Sequence, residues 1–173
     1  ADGTSGWTDL VGATSAIYAI ASDQSQVDKY LRVIATSTDA LGGTTQFISS
    51  KGPVANVNDA PTGSVTISGT PEEDQYLFVD TSGLNDADGL DAFSYQWLRN
   101  GVAISGETDV ELILTQDDVG KAISIRVSYT DGYGVTEKVT SAATALVTDS
   151  TDAEATGTLV ITGAGGEGGS LTA

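Results

Sequence analysis

Cysteine, histidine and methionine are all missing from this 173-residue chain. Without thiol or imidazole there is no Cys or His nucleophile or base, no disulfide, and almost no way to hold zinc, copper or haem. Basic side chains are scarce, 7 Lys+Arg against 24 Asp+Glu, for a formal net charge of −17. That balance argues against nucleic acid, whose phosphates need Lys and Arg, and against anionic membrane surfaces. It favours divalent cations, calcium first, because hard cations take carboxylate and carbonyl oxygen; plain acidic solubility explains the same charge. No apolar run approaches the ~18 residues of a membrane-spanning helix, and no signal peptide is visible. The chain reads as an internal stretch of a longer one.

What is present is a repeat. Gly12-Ala13-Thr14 recurs as Gly106-Glu107-Thr108, 94 residues on. Residues 27–33 recur as 119–125, with Lys29 and Lys121 now 92 apart. Thr38-Asp39, Gly42 and Thr44 match Thr130-Asp131, Gly134 and Thr136, while Gly63, Ile67, Gly69, Glu73 and Leu77 match Gly157, Ile161, Gly163, Glu167 and Leu171. The expected organisation is the back part of one repeat over 1–57, a complete repeat over 58–151, and the front of a third over 152–173. A unit of ~90 residues suits an autonomous domain on a string better than a solenoid turn. Asn56-Val57-Asn58-Asp59-Ala60-Pro61-Thr62-Gly63 reads as the joint between two units. Pro61 biases Ala60 toward an extended conformation, and Asn58 and Asp59 offer oxygens beside it.

Val27, Tyr30, Leu31 and Ile34 have helical spacing, but their counterparts Ile123, Ile125, Val127 and Tyr129 alternate as a strand does. β-branched and aromatic residues dominate both copies, so strand is expected in each. The complete repeat predicts strands over 64–68, 75–80, 93–99, 110–115, 121–130 and 135–147, with a helical turn at 116–120. Turn clusters separate them, and the expected fold is an all-β antiparallel sandwich.

Leu114-Thr115-Gln116-Asp117-Asp118-Val119-Gly120-Lys121 resembles the corner before strand F of immunoglobulin-like domains. Trp97, in Tyr95-Gln96-Trp97, sits where strand C of those domains carries its buried tryptophan. The tyrosine of that corner is matched by Tyr30 but replaced by Ala122 in the complete repeat, and the paired cysteines are missing. Together with the joint, Leu84-Asn85-Asp86-Ala87-Asp88-Gly89-Leu90 and Ser128-Tyr129-Thr130-Asp131-Gly132, the pattern resembles the tandem extender repeats of giant RTX-type bacterial surface adhesins. The joint itself is similar to the calcium-binding segment between cadherin domains. The resemblance implies tandem immunoglobulin-like sandwiches on the cell surface, stiffened by calcium and projecting a distal binding domain for attachment or biofilm formation. Their partners would be calcium and neighbouring repeats of the same chain.

In that topology Asp86, Asp88 and Asp131 lie near the joint where the chain enters, with Asn58 and Asp59. Glu72, Glu73, Asp117 and Asp118 lie near the exit, with Asp149 and Asp152. Carboxylates gathered at a joint repel unless a cation sits among them; individually, each is also a good turn former. The rival expectation is a carbohydrate- or protein-binding module, with Trp7 as the one candidate exposed aromatic. An enzyme is not expected: Asp86 and Asp88 are adjacent loop residues with no substrate cleft between them. The GxGxxG of residues 163–168 matches the strand–turn–strand at 69–74, so it is not a nucleotide loop.

Overall fold

The computed structural model describes residues 5–150, 160–163, 165–168 and 170–172. Within them the strands are β1 (Leu31–Thr38), β2 (Thr44–Lys51), β3 (Thr62–Gly63), β4 (Thr66–Ser68), β5 (Tyr76–Asp80), β6 (Leu84–Asn85) and β7 (Ser94–Arg99). They continue as β8 (Val102–Ala103), β9 (Glu111–Ile113), β10 (Ile123–Thr130), β11 (Thr136–Thr140), β12 (Thr162–Gly163) and β13 (Leu171–Thr172). One 3-10 turn, Gln116–Asp118, interrupts them. The fold is all-β, and every sheet is antiparallel.

Two sheets share one core. The first runs β11-β10-β7-β8 and the second β4-β5-β9. The period of two in β10 puts Ile123, Ile125, Val127 and Tyr129 on one face, and all four are buried. Trp97 faces Ile125 across the β7–β10 ladder. From the second sheet, Leu77 and Leu112 meet this layer, with Val65, Leu84, Leu114 and Val147 at its margins. β5 alternates as well, turning Tyr76 and Phe78 outward, where their rings stack 6.2 Å apart.

Two expected strands are broken up. Of residues 64–68 only 66–68 pair, as β4 with β5, and a change of sheet precedes them, since β3 pairs with β6. Gly63 makes the switch: its φ is +85°, and an added Cβ would lie 1.9 Å from the Gly83 carbonyl oxygen. The long strand expected over 135–147 ends at Thr140 because hydroxyls enter the ladder. Ser141 Oγ accepts from the Ile125 N–H at 3.1 Å and Thr144 Oγ1 from that of Ile123 at 3.0 Å. Beyond them the chain is held by single bridges from Leu146 to Ala122, Val147 to Val119 and Thr148 to Glu72.

The hairpin β1–β2 pairs over its full length, Leu31 opposite Lys51 through Thr38 opposite Thr44. Val33, Phe47 and Ile48 on it remain more than half exposed. Near its start, the Arg32 guanidinium lies 4.5 Å from the centre of the Trp7 ring. β12 and β13 form a further short antiparallel pair, Thr162 opposite Thr172 and Gly163 opposite Leu171.

A candidate cation joint where the chain enters the sandwich

The linker between β2 and β3 is fastened to the sandwich by its own polar groups. The Asp59 N–H donates to Asp88 Oδ2 at 2.6 Å, and Asn58 Nδ2 donates to Glu137 Oε1 at 2.8 Å. The loop after β6 is a self-capped turn in which Asp86 Oδ1 accepts from the Asp88 N–H at 2.9 Å. Its other oxygen takes a 2.5 Å hydrogen bond from the Tyr129 hydroxyl. The Gly132 N–H donates to the Asp88 carbonyl at 2.9 Å, tying the loop after β6 to the loop after β10. A Cβ at Gly132 would stand 2.7 Å from that carbonyl oxygen, so contact between the loops requires glycine there. Asp131 folds the β10–β11 loop, its Oδ1 accepting from the N–H groups of Tyr133 at 2.9 Å and Val135 at 2.8 Å.

The segment before the linker reaches in through two side chains, Gln24 and Asp28. Gln24 Nε2 lies 2.7 Å from both Asp59 Oδ2 and Asp88 Oδ1, an amide N–H₂ group standing between two carboxylates. From the same segment, Asp28 Oδ2 accepts from the Tyr133 hydroxyl at 3.4 Å. Asp88 and Asp131 are buried, 5% and 2% exposed, although among the described residues no Lys or Arg pairs with them. Both ion pairs among the described residues belong to Arg99. Desolvation pushes the Tyr129 phenol well above its ordinary pKa, and the bond to the Asp86 carboxylate adds to the shift. Tyr133 moves up too, through desolvation and then the charge of Asp28.

The described residues contain three buried side-chain polar atoms without a hydrogen-bond partner: Gln24 Oε1, Asn56 Oδ1 and Asp131 Oδ2. All are oxygens, and all belong to the linker or to the segments that meet it. An acceptor in this state usually costs about 1–3 kcal/mol. Sequence reasoning missed Gln24, Asn56, Asp28 and Glu137 as members of this group. For Gln24 a signal existed: it lies 92 residues before Gln116, whose amide plays a matching part at the exit.

At that exit, Gln116 Nε2 oriented to donate lies 3.0 and 3.1 Å from the two Glu73 oxygens. Glu73 is 7% exposed and also accepts from Ser150 Oγ at 3.4 Å. The Glu73 N–H donates to the Thr148 carbonyl, and Glu72 forms a bridge with Thr148. Asp117 is set apart: its side chain is 84% exposed and 3.9 Å from Arg99 Nη1. Asp118, 1% exposed, accepts from Arg99 Nε at 2.7 Å and from the Thr115 N–H and hydroxyl at 2.9 and 3.0 Å. It is thus an internal cap rather than a surface acid. Asp149 is exposed, and Asp152 lies outside the described residues.

Of the candidate ligands, then, Asn58, Asp59, Asp86, Asp88 and Asp131 come together at the entering end, and Glu72 and Glu73 at the exit. As the side chains stand, no group of three or more acidic residues among those described is arranged to hold a metal ion. None of the described helices is long and apolar enough to cross a membrane. Comparisons of the chain with protein-family models, curated proteins and solved structures return no match.

Proposed function

We propose that this chain is a structural extender: tandem immunoglobulin-like domains, bounded at 1–57, 58–151 and 152–173, whose joints are stiffened by calcium. The strand orders support the immunoglobulin-like reading, since β4-β5-β9 and β11-β10-β7-β8 fit an A-B-E sheet facing a G-F-C-C′ sheet. Pairing of β5 with β9 supports a unit boundary at the linker, because β5 finds its partners downstream of Asp59.

The observation that carries the calcium reading is the set of three partnerless oxygens at one joint. Asp131 supplies a carboxylate oxygen, and Gln24 and Asn56 supply neutral ones, the oxygen types that calcium prefers. Asp59 and Asp88 already bracket the Gln24 amide nitrogen. Turning that amide would bring its oxygen to where the nitrogen now stands, beside a cation held by the two carboxylates. Residues of the preceding unit, the linker and the following sandwich would then share one ion. That removes hinge freedom at the linker. The resemblance to adhesin extender repeats places such a segment outside the cell, where calcium is abundant, with neighbouring repeats as partners and a distal ligand that other domains would bind.

The test is calcium titration by calorimetry, paired with melting curves in calcium and in chelator. At a hundredfold excess over Kd, calcium should add about 2.7 kcal/mol. Magnesium should substitute poorly, since it demands a tighter octahedron than these loops offer. Absence of binding heat together with superimposable melting curves rejects the proposal.

One observation favours the binding-module alternative. Tyr76 and Phe78 stack while each is nearly half exposed, beside Ile113 on the outer face of β5 and β9. A glycan that binds the chain and is lost on Tyr76→Ala would support that reading.

A further inference from the structure

Gln24 is held in a backbone conformation that favours other residues. Its φ is +60°, a left-handed setting that is uncommon for a residue with a Cβ outside Asn and Asp. Such an outlier persists only where its surroundings over-determine it. The Gln24 carbonyl accepts from the Val27 N–H at 3.2 Å, which closes a turn. From that turn Nε2 reaches 35 residues forward to Asp59 and 64 residues forward to Asp88. Gln116, its counterpart in the repeat, lies in the 3-10 turn, and its amide goes to Glu73 of the same sandwich. The left-handed turn at Gln24 thus accompanies a reach across the linker.

Chemistry fixes which way the Gln24 amide faces. Two carboxylate oxygens lie 2.7 Å from one of its atoms. Ionised carboxylates only accept, so that atom is the nitrogen, with one hydrogen for each. Calcium holds its oxygens at about 2.3–2.6 Å. The nitrogen therefore stands close to where an ion shared by Asp59 and Asp88 would sit. The penalty falls on the other end of the amide, where Oε1 is buried without a partner. Asp131 is 2% exposed, and its Oδ2 is in the same state, on the loop that Gly132 ties to Asp88. An N–H₂ group and a cation repel, so the two carboxylates hold one or the other.

We propose that Gln24 is the calcium-free latch of this joint: its amide takes the cation's place between Asp59 and Asp88 and keeps the joint shut until an ion displaces it. The latch stands on geometry alone; what displaces it rests on the calcium reading. The joint then has two closed forms, one held by a neutral amide and one by an ion shared among several oxygens. The amide form is the weaker, because only the N–H₂ group is satisfied. Calcium binds the unlatched fraction, so the latch raises the calcium concentration at which the joint fills.

Amide hydrogen exchange at Asp59, read by NMR on the full chain, provides the test, because its N–H is bonded to Asp88 Oδ2 only while the joint is shut. In chelator, Gln24→Glu sets a third carboxylate against Asp59 and Asp88 and should speed that exchange about tenfold or more. Gln24→Ala removes the donors without adding charge and should speed it less. Gln24→Lys puts an ammonium between the carboxylates and should keep Asp59 protected. Calcium should restore protection in Gln24→Glu, at a lower concentration than the parent needs to respond, and should leave Gln24→Lys unchanged. Exchange at Ile125, whose N–H is bonded to Ser141 Oγ inside the sandwich, checks that each variant is folded. Protection at Asp59 that Gln24→Glu leaves intact in chelator overturns the proposal, and calcium binding that persists then leaves the calcium reading standing. Equal loss in Gln24→Glu and Gln24→Lys also overturns it, since Gln24 would then be packing alone. Loss in Gln24→Glu with rescue in Gln24→Lys, and no response to calcium in any variant, upholds the latch and rejects the calcium reading.

Discussion

Replacing Trp97 by alanine removes the largest side chain of the core. The indole is fully buried between the two sheets, and its Nε1 donates to the Asp109 carbonyl at 3.0 Å. Truncating a buried Trp to Ala costs about 3–5 kcal/mol, depending on how far the cavity collapses. Collapse is restricted here. The Trp97 N–H donates to the Glu107 carbonyl, its carbonyl accepts from the Ile104 N–H, and Gln96 Nε2 donates to the carbonyls of Trp97, Ile104 and Glu107. Asp109 is exposed, so its released carbonyl turns to water and adds no burial penalty. The expected loss is about 4 kcal/mol, a large share of the 5–15 kcal/mol that typically holds a domain together. Urea unfolding followed by far-UV circular dichroism measures it, and a retained m-value keeps the comparison two-state. Trp7→Ala is the control. Trp7 is half-buried and packs on Arg32, a contact worth about 0.5–1 kcal/mol at such a site. A Trp97→Ala loss below ~1 kcal/mol, or losses equal for the two tryptophans, would refute the placement of Trp97 at the centre of the fold.

Gly63→Ala should cost about 2 kcal/mol or more, because positive φ and a Cβ driven against the Gly83 carbonyl act together; an unchanged melting temperature would contradict this. Asp118→Ala strands Arg99 and two Thr115 donors and should lose about 2–3 kcal/mol. A double-mutant cycle with Arg99→Ala should return a coupling above ~0.5 kcal/mol, and additivity would show the pair to be incidental. Asp131→Asn should change sign with conditions, matching or exceeding the parent in chelator, where it relieves repulsion, and forfeiting the calcium increment. Equal calcium increments in parent and variant would remove Asp131 from the proposed site.

The strands whose apolar residues alternate without interruption were legible from sequence: β5, β7 and β10 each fall within two residues of the expected bounds. The failures have specific causes. Ser141 and Thr144 are good strand residues by propensity, but their hydroxyls take the N–H groups of Ile125 and Ile123 in place of a backbone carbonyl, leaving only their own N–H groups as backbone rungs to those residues. The division between β3 and β4 depends on a backbone close approach at Gly63, which no side-chain pattern records. At the joint, the acids announced themselves by charge and by their turn positions. Gln24 and Asn56 did not, because a neutral amide oxygen leaves no trace in charge patterning. Asp118 was indistinguishable from Asp117 in sequence. Only the Thr115 cap and the reach of Arg99 separate a buried carboxylate from its solvated neighbour.

The exit of the chain from the sandwich has a mechanical meaning. Val147 and Thr148 are held by four backbone hydrogen bonds, to Gly120, Lys121, Pro71 and Glu73, each 2.9 Å long. Their bridges to Val119 and Glu72 are parallel. Tension applied to the chain beyond Thr148 runs along the segment, roughly perpendicular to these bonds. They are loaded together, in shear, and must fail together. A hairpin pulled open from its end yields one rung at a time at far lower force. The few residues that close the sandwich thus form a clamp against pulling.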